Sequence, residues 1–266
     1  MLATDAVGEL KFLLFDPEQS GVDELLAVKD FWFFTHGLLR LSEACTLLPM
    51  IDWNQIDTVL LDMDGTLLDL HFDNHFWLEY VPKRYAEGRG LSLEASKAEL
   101  FARYKDVEGT LEWYCVDHWS RELGLDIALL KAEVDHLIGV HPHVVDFLEA
   151  LRAHDKRIAL VTNAHQKALA LKMERTQLAG HFDAIICAHD LGFPKERQVF
   201  WDRLQQVEPF DRERTLFVDD SLSVLSSARR YGIRWLLAIL NPDTQGPLRK
   251  VEDFPAIHDF SEVMPA

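Results

Sequence analysis

Short apolar runs, most of them leading into a polar or acidic group and separated by amphipathic stretches, constrain this chain's fold more than any other feature. Thr58-Val59-Leu60-Leu61 leads into Asp62, and Arg157-Ile158-Ala159-Leu160-Val161 into Thr162. Ala184-Ile185-Ile186-Cys187 leads into a loop with Gly192 and Pro194, and Thr215-Leu216-Phe217-Val218 into Asp219 and Asp220. Trp235 to Leu240 reads as a fifth run. Runs this short and apolar read as buried strands. The segments between them, Val144 to His154, Gln166 to Gln177, Gln198 to Gln206 and Ser223 to Tyr231, carry apolar residues at three-to-four spacing, as helices do. The alternation predicts an α/β fold, a Rossmann-like parallel sheet flanked by helices. In such a sheet, ligands bind at the carboxyl edge of the strands. Four of the runs feed polar groups to that edge.

One stretch breaks the alternation. Leu70 to Gly139 shows helical patterning and no convincing strand, and it falls between the first two runs. It predicts an inserted all-helical cap domain over 70–139, with the core formed by 50–69 and 140–266. The cap is rich in aromatics: Trp77, Tyr80, Tyr85, Tyr104, Trp113, Tyr114 and Trp119. Most are expected in the bundle core, with one or two near the inner face available to stack on a flat ligand. Residues 1–49 fit less well. Lys11 to Asp16 reads as a strand and Leu38 to Leu48 as a short helix, but Pro17-Glu18 follows Asp16 where the chemistry needs a second Asp and a Gly. The pattern begins just after Met50, which is the expected natural start, with 1–49 an extension of open status; N-terminal sequencing of native protein tests this.

The net charge of -17 opposes non-specific binding to nucleic acid or to an anionic membrane. It also means that an anionic substrate must be drawn in by local positive groups. Cys45, Cys115 and Cys187 are far apart and form no CxxC pair, which argues for a reducing compartment. No apolar run approaches the ~20 residues that span a bilayer, and the first residues lack the basic start of a signal peptide. A cytoplasmic protein of open oligomeric state is expected.

Asp62 and Asp64 lie two apart where a strand gives way to a loop, so both side chains point to one side. Two carboxylates so close repel, and a divalent ion with oxygen ligands, such as Mg2+, relieves that conflict. Gly65 permits a tight turn and close approach to an anion. An Asp-x-Asp-Gly run also occurs in calcium loops, but those need further acids and a closing Glu, and Thr66-Leu67-Leu68 follows instead. Thr162 and Asn163 offer a hydroxyl and backbone amides to phosphoryl oxygens, although Thr after a strand is commonly a helix cap. Lys195 is by itself an ordinary loop lysine. Asp219 and Asp220 either cap the next helix or complete a metal shell with Asp62.

In chain order, these pieces resemble the four motifs of the haloacid dehalogenase-like phosphatase superfamily. Val59 to Leu67, with Asp62-Met63-Asp64-Gly65-Thr66 at its centre, is similar to the first, Leu160-Val161-Thr162-Asn163 to the second, Lys195 to the third and Phe217-Val218-Asp219-Asp220-Ser221 to the fourth. The resemblance covers Ile56 to Pro242, and the insertion after the first motif resembles that superfamily's type-1 cap. Leu68 to Asn74, Trp113-Tyr114-Cys115, Thr162 to His165 and Phe193 to Glu196 are similar to bacterial GMP/IMP 5'-nucleotidases within it.

The resemblance implies a Mg2+-dependent phosphomonoester hydrolase. Asp62 would attack phosphorus and form an aspartyl-phosphate. Asp64 would protonate the leaving oxygen and then deprotonate water. Thr162, Asn163 and Lys195 would steady the transferring oxygens. Asp62, the Asp64 carbonyl and Asp220 would hold the metal, with Asp219 nearby. The expected substrate is a purine nucleoside monophosphate, with Asn74, Trp77 and Trp113 as possible readers of it. Phosphoglycolate or sugar phosphates are the rival substrates, and a phosphosugar mutase the rival reaction. A catalytically dead binding protein is the non-enzyme alternative. A dehalogenase does not need Asp64, and a phosphonatase needs a cap lysine for which Lys83 is the nearest candidate.

Overall fold

In a computed structural model of the chain, residues 51–265 are described; the readings at 1–49 and at Met50 lie outside them. Five of the six strands are the apolar runs: β1 (Thr58–Leu61), β2 (Arg157–Thr162), β3 (Ala184–Cys187), β4 (Thr215–Asp219) and β5 (Trp235–Ile239). The sixth, β6 (Ala256–Ile257), has only two residues, too few to show a pattern in the sequence. All pair in parallel, in the order β3-β2-β1-β4-β5-β6.

Successive strand residues point to opposite faces, so each strand feeds two cores. Val59, Leu61, Ile158, Leu160, Leu216, Val218, Leu237 and Ile239 pack on one face. Leu60, Ala159, Val161, Phe217 and Ala238 pack on the other. Both faces are covered, which is why these runs are continuously apolar.

Between β1 and β2 the chain is helical: α1 (His71–His75), a π-helical turn (Phe76–Tyr80), α2 (Val81–Arg89), α3 (Leu93–Val107), α4 (Leu111–Tyr114), α5 (Val116–Leu123) and α6 (Ile127–Glu133). Asp126 and Ser92 cap α6 and α3 by accepting from Leu129 and Ala95 backbone amides at 3.0 and 3.2 Å. Tyr85, Tyr104 and Trp119 are buried in this unit's own core with Phe72, Phe76 and Leu100. The remaining helices flank the sheet: α7 (Val144–Ala153), α8 (Gln166–Thr176), α9 (Ala188–Leu191), α10 (Gln198–Val207) and α11 (Leu222–Tyr231). No helix of the described residues is long and apolar enough to cross a membrane.

The two passages joining insertion and sheet run side by side. The Asp69 amide donates to the Gly139 carbonyl at 2.9 Å and the His141 amide to the Leu67 carbonyl at 2.9 Å. The loop after β5 clasps both. The Pro242 carbonyl accepts from the Leu70 amide at 2.8 Å and lies 3.2 Å from His141 Nε2, while Asp243 Oδ2 accepts from Asn74 Nδ2 at 2.6 Å. Asn74, expected to bind substrate, thus has its amide turned to a core loop, and it is not among the residues lining the pocket described below.

Candidate active site

The strand order reverses between β1 and β4, and both end in acids at the crevice this reversal opens. Asp62 follows β1, Asp219 ends β4 and Asp220 follows it, and all three are buried. Their carboxylate oxygens lie within 4.8 Å of one another. Lys195, 2 % exposed, reaches the same point from the loop after α9. Its ammonium donates to Asp62 Oδ1, to Asp219 Oδ2 at 2.7 Å and to the Val161 carbonyl at 3.2 Å, which uses all three of its protons. Arg249 Nη2 lies 3.2 Å from Asp220 Oδ2.

Burial pushes the Asp62, Asp219 and Asp220 carboxyls up to about 6, although Lys195 and Arg249 pull against it. Two cations facing three acids leave one negative charge before any phosphate arrives. A small cation with oxygen ligands fits that charge, and Mg2+ takes one or two carboxylates of such a group together with water and phosphate oxygens. The backbone is shaped to the same point. Gly65 has φ +80°, and a Cβ there would sit 2.7 Å from Asp220 Cγ.

Asp64 is half-buried beside this cluster. Burial raises its carboxyl to about 6 even though Lys172 Nζ donates to Oδ1 at 2.6 Å. Thr162 is 1 % exposed, and its Oγ1 accepts from the Ala164 amide at 3.0 Å. Asn163 Oδ1 accepts from the Lys195 amide at 2.9 Å, and its Nδ2 donates to Glu196 Oε2 at 3.1 Å. The Asn163 side chain therefore braces the Lys195 loop. Tyr114, from the insertion, closes that brace by donating to Glu196 Oε1 at 2.8 Å.

A single pocket joins these groups to the insertion. Asp62, Asp64, Thr162, Asn163, Lys195, Asp219 and Asp220 line its floor, and Trp77, Trp113, Tyr114 and Val116 its upper wall. Lys83 is exposed on α2 and is not among the lining residues. Three lysines, Lys131, Lys172 and Lys195, do line it, each paired with an aspartate, so they partly offset the acids that an incoming anion would meet here. Sequence reasoning missed Lys172, Lys131, Asp73 and Arg249. The one available signal was Lys172, four residues after Ala168 and beside Met173, on the buried face of its helix.

A doubly wound parallel sheet with an acid-and-lysine crevice at its switch point and a helical insertion after the first strand defines a class. The chain belongs to the haloacid dehalogenase-like hydrolases, whose family pattern matches residues 56–232. It is an enzyme, a phosphoric monoester hydrolase. The GMP/IMP nucleotidase YrfG of Escherichia coli K12 is 41% identical over 216 residues, spanning 81% of this chain and 97% of that one. The pyrimidine 5'-nucleotidase YjjG of the same organism is 32% identical over 81 residues, 30% of this chain and 36% of that one. A solved structure of a HAD phosphatase from Thermococcus onnurineus superposes with TM-score 0.64 at 22% identity, covering 78% of this chain and 96% of that one. At that identity the likeness speaks to the fold alone.

Proposed function

We propose that the chain is a Mg2+-dependent 5'-nucleotidase of purine nucleoside monophosphates of the GMP/IMP kind, acting through an aspartyl-phosphate on Asp62. The observation that carries this reading is the meeting of buried Asp62, Lys195, Asp219 and Asp220 at the floor of a pocket whose upper wall is aromatic. The 41% identity to the GMP/IMP nucleotidase YrfG over most of both chains supports the substrate class.

Mg2+ held by Asp62, Asp220 and the Asp64 carbonyl, with Asp219 behind, would offset the repulsion between carboxylate and phosphate. Lys195 orients Asp62 through one carboxylate oxygen and leaves the other to attack phosphorus. The new bond runs from Asp62 oxygen to phosphorus, and the bond from phosphorus to the 5'-oxygen breaks. Asp64 delivers a proton to that oxygen and later takes one from the water that hydrolyses the intermediate. A carboxyl held near 6 by burial suits both roles at neutral pH better than an ordinary one. Thr162 and the backbone amide of Asn163 steady the transferring oxygens, while the Asn163 side chain holds Lys195 in place. Trp77, Trp113 and Tyr114 line the part of the pocket that admits the leaving nucleoside.

A screen of nucleoside monophosphates, phosphoglycolate and sugar phosphates with Mg2+ tests this through kcat/KM. GMP and IMP are expected to exceed AMP, the pyrimidine nucleotides and the small phosphates. A higher kcat/KM for phosphoglycolate or a sugar phosphate would overturn the substrate class, and no Mg2+-dependent turnover of any monoester would overturn the whole reading.

A further inference from the structure

Alternating charges cross the junction between the sheet and the inserted helices. Lys172, on α8 of the core, donates to Asp64 Oδ1 at 2.6 Å and to Asp73 Oδ2 at 2.5 Å. Asp73, on α1 of the insertion, accepts at Oδ1 from Lys131 of α6 at 2.8 Å. The Lys131 ammonium also lies 4.4 Å from the centre of the Phe76 ring, which fixes it within the insertion. Lys172 is 1 % exposed and Lys131 3 %. Burying ions costs several kcal/mol each unless geometry and pairing are good, and an apolar replacement is often neutral. Stability alone is therefore a weak reason for this array.

Its geometry suggests another reason. Asp62 is held by Lys195, but among the described residues Lys172 supplies the hydrogen bond that orients the Asp64 carboxyl. The two anions that fix Lys172 belong to different bodies: Asp64 follows β1, whereas Asp73 rides on the insertion. A lysine is a point charge on a flexible stem, so its anions decide where it sits. A shift of α1 would move the ammonium, and with it the Asp64 carboxyl.

We propose that Lys172 is a positioning residue: it aims Asp64 at the leaving oxygen, and through Asp73 it makes that aim depend on the seat of the inserted helices. The proposal rests on the proton-transfer role assigned to Asp64 above. It does not rest on any change in the charge of these groups.

The test compares GMP, whose alkyl leaving group needs a proton, with p-nitrophenyl phosphate, whose leaving group departs without one. With both read as the rate of leaving-group release in the first turnover, Lys172→Met is expected to slow release of guanosine from GMP on the order of 100-fold. It should change the first-turnover rate of p-nitrophenol release only a few-fold, since that step precedes the water attack in which Asp64 also serves, and leave KM for both substrates within a few-fold. The double variant Asp64→Asn/Lys172→Met should be no slower than Asp64→Asn alone, because the two act as one unit. Asp73→Asn should show the same split at smaller size. Equal losses on both substrates, a raised KM with kcat intact, or additive losses in the double variant would each overturn the proposal. Should Lys172→Met fail to fold, Lys172→Arg keeps the charge at a different reach and must show the split instead. A split in Asp64→Asn that is absent from the Lys172 variants refutes this inference alone. No split in Asp64→Asn refutes the acid role of Asp64 and the inference with it.

Discussion

At Gly65 the backbone sits at φ +80° and passes so close to Asp220 that a Cβ would lie 2.7 Å from its carboxyl carbon. Two separate costs would meet in Gly65→Ala: a left-handed backbone, about 1 kcal/mol or more for a residue with a Cβ, and displacement of a carboxylate in the acid cluster. The variant is expected to lose activity on the order of 100-fold or more while its Tm falls by only a few degrees. Saturating Mg2+ should recover part of the loss, and a variant of near-normal kcat and Mg2+ requirement would contradict the close packing of that turn on Asp220. The run Asp62-Met63-Asp64-Gly65 was legible at this scale because its spacing alone places two acids and a permissive turn at a strand end. The role of Lys172 was not legible: its place four residues after Ala168 is the one local hint that sets it apart from an ordinary helix lysine, and its partner Asp73 lies 99 residues away in sequence.

The elements divide in the same way. Five of the strands could be read because a parallel sheet covered on both faces demands unbroken apolar runs, and the carboxyl edge followed from the polar groups after four of them. The clasp between the β5 loop and the insertion could not be read, since it joins residues far apart in the chain, Asn74 and Asp243 being 169 positions apart. That clasp ties the first turn of the insertion to the core. Asp243→Ala removes the 2.6 Å bond from Asn74 and leaves the acid cluster untouched. It should raise KM for the nucleotide several-fold, with kcat on p-nitrophenyl phosphate within a few-fold of wild type and stability lower by about 1 kcal/mol. Unchanged KM for the nucleotide would show that this clasp does not govern how the insertion meets substrate.

For the molecule as a whole, the acid cluster links stability, pH and metal. Burial raises the folded-state carboxyls of Asp62, Asp219 and Asp220 to about 6, above the roughly 4 of an unfolded chain. Between those values the folded protein holds more protons than the unfolded one. The stability these groups contribute is therefore full below about pH 4 and lost as pH rises through about 6. A metal needs the ionised carboxylates, so protons compete with it. The rise in Tm on adding Mg2+ should be larger at about pH 7.5 than at about pH 5, and an equal rise at both would argue against this cluster as the metal site. Covalent chemistry at Asp62 is the claim on which the other roles depend. Its most direct test is mass analysis of peptides from enzyme quenched in acid during turnover of GMP, with Asp62→Asn alongside. A phosphoryl adduct is expected on Asp62 in the wild-type enzyme and none in the variant, which keeps its fold and loses turnover. Near-normal turnover by Asp62→Asn, or an adduct on another residue, would contradict that claim.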